Sequence, residues 1–173
     1  MEHGLTKVTL SDVGERLGVS KSAIYHYFTN KQHMLRALMR RHMDRLQARL
    51  ERAAEHAPDP PRKLEAILRA RFEYLGRQGP GGWSLETLLS IAPLAQELLP
   101  IIHEVQRDLL AGVLRQGCAR GDFDIEDVES MADILASTLH SVDEILYLTG
   151  RQTRRRKNQE ALIQLWLRGL LAR

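Results

Sequence analysis

The sequence holds one cysteine, Cys118, in 173 residues. A disulfide framework and a thiolate-based zinc site each need a second thiol, so both are excluded. Aromatic residues make up only 5% of the chain. No stretch approaches the ~18 consecutive apolar residues that a membrane-crossing helix requires. The opening segment MEHGLTKVTL lacks the apolar core of a secretory signal. A cytoplasmic protein with no membrane partner is expected. A strong charge bias is missing too: 25 Lys and Arg face 22 Asp and Glu, a net +3.

What is present favours helix. Apolar residues reach 43%, enough to bury a core. Turn signals fall at 18–20, 28–30, 57–61, 79–82, 92–93, 117–124 and 150–156, and the intervening stretches are rich in Leu, Ala, Arg and Glu. Only residues 7–10 read faintly as a strand, too short to build a sheet. The predicted class is all-α.

Charge is unevenly placed. Residues 1–57 carry ten basic side chains against six acidic ones, and five of the seven His. The rest of the chain is near neutral, so the N-terminal third is the part suited to a polyanion. Hydrophobic periodicity predicts a long helix over 31–55, with Leu35, Met39, His42, Leu46, Leu50 and Ala53 on one face. A second helix is expected over 62–78. Pro100 suits a first turn, so a third should run from there to about residue 116, burying Ile101, Ile102, Val105, Leu109 and Val113. Asp124 reads as an N-cap with Asp127 at N3, opening a helix over 125–148. A last helix over 157–172 is apolar around much of its circumference and needs more than one covering partner.

The most informative stretch is residues 8–35. Thr9 and Asp12 have capping-box spacing. Leu10, Val13 and Leu17 should then face inward on a short helix. Gly18 suits the left-handed turn that ends it. Val19 follows, and Ser20 caps a second short helix whose Ile24 and Tyr27 face inward. Gly14 lies where the two would cross. Two short helices joined this way form a helix-turn-helix. The outer face of the second presents Lys21, Ser22, Ala23, Tyr25 and His26, a set of donors, a hydroxyl and a methyl suited to base edges and phosphates in a major groove.

The run Thr9-x-x-Asp12-Val13-Gly14-x-x-Leu17-Gly18-Val19-Ser20-x-x-x-Ile24-Tyr25-x-Tyr27-Phe28-x-Asn30-Lys31-x-x-Met34-Leu35 resembles the DNA-binding signature of the tetracycline-repressor (TetR/AcrR) family. The resemblance implies a helix-turn-helix domain over 1–35, a linking helix over 36–57, and a helical ligand-binding and dimerisation domain over 58–173. It implies that Lys21, Ser22, Ala23 and Tyr25 meet bases or nearby phosphates. Tyr25, Tyr27 and Lys31 would hold the backbone, and Thr9, with Ser20 at the second cap, would lie at the phosphates. His26 carries less weight, being a packing or backbone-facing position in such proteins. Gly121-Asp122-Phe123 also resembles a common turn of the family. In such proteins a longer helix precedes the motif than the eight residues before Thr9 can form, so the first helix is expected to be missing.

The implied function is a ligand-responsive transcriptional regulator, a repressor in the expected case. It would bind a palindromic operator in double-stranded DNA as a homodimer, with half-sites about 34 Å apart, and be released by a small-molecule inducer. Phe72, Trp83, His103, Met131 and His140 are candidate ligand contacts, where a large or polar group interrupts an apolar face. The last two helices are expected to pair with their copies. His140, Asp143 and Glu144 have metal-like spacing but too few ligands, so neither metal nor cofactor is expected. An enzyme is not expected, since no nucleophile–base arrangement or phosphate loop is found. The alternative is a helical protein–protein interaction module, unable to bind DNA for want of the first helix.

Overall fold

The computed structural model describes residues 8–77, 85–149 and 155–172. Among them are the helices α1 (Leu10–Arg16), α2 (Lys21–Tyr27), α3 (Lys31–Glu55), α4 (Pro60–Arg77), α5 (Leu85–Arg120), α6 (Val128–Thr149) and α7 (Arg155–Leu170), and no strand. The all-α expectation holds, and Leu10 opens a helix where a faint strand was read. The chain divides into two compact units. Met1–Asp44 and Trp83–Leu99 make one; Arg45–Gly82 and Pro100–Arg173 make the other.

In the first unit, the Asn30 side chain accepts the His33 N–H at 2.8 Å and so starts α3. Leu10, Ile24, Leu35 and Leu98 are its buried aliphatic residues. The Arg36 guanidinium donates to Glu97 Oε2 from Nη2 at 2.8 Å and from Nε at 3.2 Å, linking α3 to α5.

The second unit is built on Leu46, Leu50, Leu64, Ile67, Leu68, Phe72, Leu110, Leu114, Leu135, Leu139, Ile163 and Leu167. Pro60 sits at the first position of α4, where its missing N–H costs nothing, and Asp59 Oδ1 accepts the Arg62 N–H at 3.0 Å. Arg69 joins α4 to α7 with two 2.6 Å hydrogen bonds to the Glu160 carboxylate. Those bonds, with a further one to Glu65, hold the guanidinium in its charged form.

Three expectations about helix ends and faces are corrected. First, α5 starts at Leu85 and runs through both Pro93 and Pro100. Each proline removes one hydrogen bond, but 36 residues of helix supply many others. Second, the cap of α6 is Asp127, whose Oδ1 accepts the Ser130 N–H at 3.0 Å. Asp124 is used elsewhere: its N–H donates to Leu170 O at 3.0 Å, beside a bridge between Phe123 and Leu171. Third, the buried face of α5 is turned one position from the one read off the sequence. Ile102, Gln106, Leu110, Val113 and Leu114 are buried and Leu109 is half-buried, while Ile101 and Val105 are exposed. The turn follows from Gln106, which is buried as the acceptor of a hydrogen bond from buried Arg71 on α4.

The turn after α5 is set by two glycines. Gly121 has φ +77°, which favours glycine. Gly117 lies against the Phe123 ring so closely that a Cβ there would overlap ring carbons. Gly117→Ala is expected to destabilise the chain by about 1–3 kcal/mol through overpacking. Phe123→Ala should cost about 3–5 kcal/mol by opening a cavity. Urea unfolding of both variants measures this, and a wild-type midpoint for Gly117→Ala would contradict the overlap.

The caps predict an acid limb to stability. Asp12 accepts the Thr9 backbone N–H and bonds to its hydroxyl, and these hold its carboxyl below the usual range. The hydroxyl and backbone N–H of Ser130 do the same for Asp127. Both contributions are fully present above the ordinary carboxylate pKa and are lost as pH falls through the lower folded values. Replacing both residues with Asn should flatten stability against pH in that acid window and leave the neutral-to-alkaline profile parallel to wild type, measured by denaturant unfolding.

Candidate nucleic-acid interface

The first unit's two short helices are fixed by local chemistry. Thr9 has extended backbone at the N-cap of α1. Its Oγ1 accepts the Asp12 N–H at 3.2 Å, and Asp12 Oδ2 accepts the Thr9 N–H at 2.8 Å, which completes the expected capping box. At the other end, Gly18 has φ +69°. The Val19 N–H then reaches Gly14 O at 2.9 Å, and the chain reverses. Ser20 caps α2, its Oγ accepting the Ala23 N–H at 3.1 Å.

Gly14 makes the crossing possible. A Cβ there would stand 3.2 Å from Val19 O and 3.4 Å from Ile24 Cγ2, so a larger residue would force α2 away. Leu10 and Ile24 fill the angle and are buried; Val13 and Phe28 are half-buried. Leu17 and Tyr27, expected inward, are exposed, by 69% and 71%, and Val19 in the turn is exposed as well. Helices of seven residues bury only their inner faces, and these three lie at or beyond helix ends. The expectation of a missing first helix concerns residues 1–7, which lie outside the described residues.

The outward side of α2 holds Lys21, Ser22, Tyr25 and His26, all exposed, with Ala23 half-buried beside them. Lys21 Nζ lies 6.0 Å from the Tyr25 ring centroid, at the edge of cation–π range, so the two share one face. Tyr27 meets His26 edge-on at 5.4 Å between ring centroids. Lys31 opens α3 and is half-buried. α2 and α3 are joined tightly. Besides the Asn30 cap, the Thr29 N–H donates to His33 Nδ1 at 3.4 Å, and the Phe28 and His33 rings pack edge-on at 5.7 Å. The result is a capped helix pair with donors and an aromatic ring turned outward.

The candidate ligand contacts have varied surroundings. Phe72 belongs to the buried core of the second unit, and Met131 packs against that core. His103 Nε2 is 3.0 Å from Ser137 Oγ and 3.7 Å from Asp133 Oδ1, joining α5 to α6. His140 is half-buried. Trp83 lies outside the described residues, as do the side chains of Asp143 and Glu144. Arg71 and Gln106 were missed by sequence reading, though Arg71 falls on the stripe of Leu64, Leu68 and Leu75 and interrupts it as His103 was thought to do.

Comparison with known proteins agrees with this geometry. Residues 1–38 match the model of bacterial regulatory proteins, tetR family. Over 124 residues the chain is 25% identical to the HTH-type transcriptional repressor KstR2 of Mycolicibacterium smegmatis, covering 70% of this chain and 60% of that one. A crystal structure of a transcriptional regulator from Cytophaga hutchinsonii superposes with TM-score 0.79 at 15% identity, covering 98% of this chain and 91% of that one. The fatty acid degradation regulator FadR of Bacillus halodurans does so with TM-score 0.74 at 25% identity, covering 99% and 90%. Residues 1–38 thus match the tetR family model, and the chain shares the all-helical fold of solved bacterial regulators.

Proposed function

We propose that the protein is a ligand-responsive transcriptional repressor of the cytoplasm, which binds a palindromic operator as a homodimer and is released by a small-molecule inducer. The observation that carries this is the capped, glycine-hinged helix pair that leaves Lys21, Ser22 and Tyr25 outward on one face. In this reading Lys21, Ser22, Ala23 and Tyr25 meet base edges and adjoining phosphates. Thr9, Ser20, Tyr27 and Lys31 fix the register on the backbone. The domain assignment follows: a reader over 1–35, a linking helix over 36–57, and ligand binding and dimerisation over 58–173.

Two features support a dimer through α6 and α7. The outer side of α7 carries Ala161, Leu165 and Gly169 at helical spacing, all exposed, and a Cβ at Gly169 would meet nothing within 4 Å. Ile134 is likewise exposed on α6. Small residues around one leucine allow a second helix to approach closely. Phe72, Trp83, His103, Met131 and His140 are the proposed ligand contacts. Similar proteins named for ketosteroid and fatty acid regulation make ketosteroids and fatty acids the first inducers to try.

Selection of duplexes from a random library by the full chain, followed by titration at two salt concentrations, tests the reading. A regulator selects an inverted repeat and binds it more weakly as salt rises. Replacing Tyr25 and Lys31 together with Ala should abolish binding to the selected site. Lys21→Ala should weaken binding and reduce the salt slope by about 1 if Lys21 meets a phosphate. Recovery of no enriched sequence would refute the function. Separately, Leu165→Glu is expected to yield monomer in sedimentation at concentrations where the unsubstituted chain is dimeric. A dimer that persists would move the interface off this face of α7.

A further inference from the structure

The reader itself does not use Arg36 and Glu97, yet their ion pair joins it to a helix 61 residues away in sequence. Arg36 lies in the second turn of α3, directly after the segment that ties α2 to α3. Glu97 lies on α5, and both belong to the same compact unit. Two guanidinium nitrogens, Nη2 at 2.8 Å and Nε at 3.2 Å, donate to the single oxygen Oε2. The bond holds Glu97 below the usual carboxylate range, and Arg40, one turn further along α3, attracts the same carboxylate. Both side chains are about half exposed, at 43% and 48%, so the pair adds little to global stability.

Its electrostatics run against DNA binding. A carboxylate in the reading unit repels phosphate, and it occupies an arginine that could otherwise meet one. If charge alone mattered, losing Glu97 would strengthen binding. The geometry argues the other way. The Asn30 cap, the Thr29–His33 bond and the Phe28–His33 ring contact make α2 and the first turns of α3 move together. A strut on Arg36 therefore sets the direction in which α2 points. We propose that Glu97 is a positioning residue, which through Arg36 orients the α2–α3 reader for sequence-specific DNA. The proposal rests on the DNA-binding reading above.

The experiment compares the full chain, Glu97→Ala, and the charge swap Arg36→Glu with Glu97→Arg. The probes are the duplex selected by the unsubstituted chain and a scrambled duplex of the same length. Glu97→Ala should lose roughly fivefold in affinity for the selected duplex, the scale of one exposed ion pair. Affinity for the scrambled duplex and the thermal midpoint should stay unchanged, and the swap should recover part of the specific loss. Equal or tighter binding of both duplexes by Glu97→Ala overturns the proposal, as does a swap that recovers nothing. A readout without DNA separates this from failure of the DNA reading. Amide hydrogen exchange in residues 31–41 should quicken in Glu97→Ala relative to residues 46–54 of the same helix. Unchanged exchange overturns the strut even if no duplex is selected, and quickened exchange with no duplex selected supports the strut while refuting the DNA reading.

Discussion

The arrangement of the second unit depends on the hydrogen bond from Arg71 to Gln106. Both residues are almost fully buried, at 3% and 5% exposure, between helices whose other inward side chains are apolar, mostly Leu, Ile, Val and Ala with Phe72. A guanidinium taken out of water loses solvation that apolar neighbours cannot replace, so it must be met by acceptors. Gln106 meets it only if α5 is rotated to turn that position inward. Once it is, the helical period carries Ile102, Leu110 and Leu114 into the core and leaves Ile101 and Val105 outside. One polar contact thus decides the fate of several aliphatic residues. The sequence offers an apolar pair at 101–102 and no local reason to prefer either face.

The first unit obeys a different constraint. Two seven-residue helices cannot build much of a core. Their geometry comes instead from satisfied helix ends and from the absence of a Cβ at Gly14 and Gly18. Thr9 and Asp12 close one end, Ser20 opens the next helix, and the Val19 N–H closes the turn onto Gly14 O. Because so little of α2 is needed for packing, most of its surface is left exposed. Ile24 does the burial, while Lys21, Ser22, Tyr25 and His26 remain outside.

This explains which parts were legible in the sequence. The capping box at Thr9, the cap at Ser20, the left-handed Gly18 and the span of α3 are set by residues within a few positions of one another, and each was found from spacing. The errors are all decided at long range. Pro100 looks like a helix start because an unpaired N–H is harmless there, but nothing local reveals that α5 has already run for four turns. Asp124 looks like a cap as much as Asp127 does, and the choice is made by the C-terminal end of α7, whose Leu170 carbonyl takes the Asp124 N–H. Leu17 and Tyr27 have the right spacing for burial, but the described residues place nothing over them. The exposed face of α2 was legible as a pattern because it is set by local spacing. An interrupted apolar face does not distinguish a ligand contact from a structural pair such as Arg71 and Gln106.

The charge argument changes most when sequence becomes structure. Along the chain, the first 57 residues look distinctly basic. In three dimensions Arg45, Arg49 and Arg52 belong to the second unit, and Glu86 and Glu97 join the first from far downstream. The reading unit then holds seven basic residues against six acidic ones, almost balanced. Arg36 is matched by Glu97, and Arg49 by Glu73 at 3.0 Å. A broad basic field is therefore not what this fold would bring to DNA. Any attraction must come from a few cations at chosen places, Lys21 and Lys31 foremost, within a unit that carries little net charge. Such a surface would gain little from non-specific phosphate contact, and its discrimination would depend heavily on the orientation of α2. That places the burden on the contacts that hold α2 and the first turns of α3 in one direction.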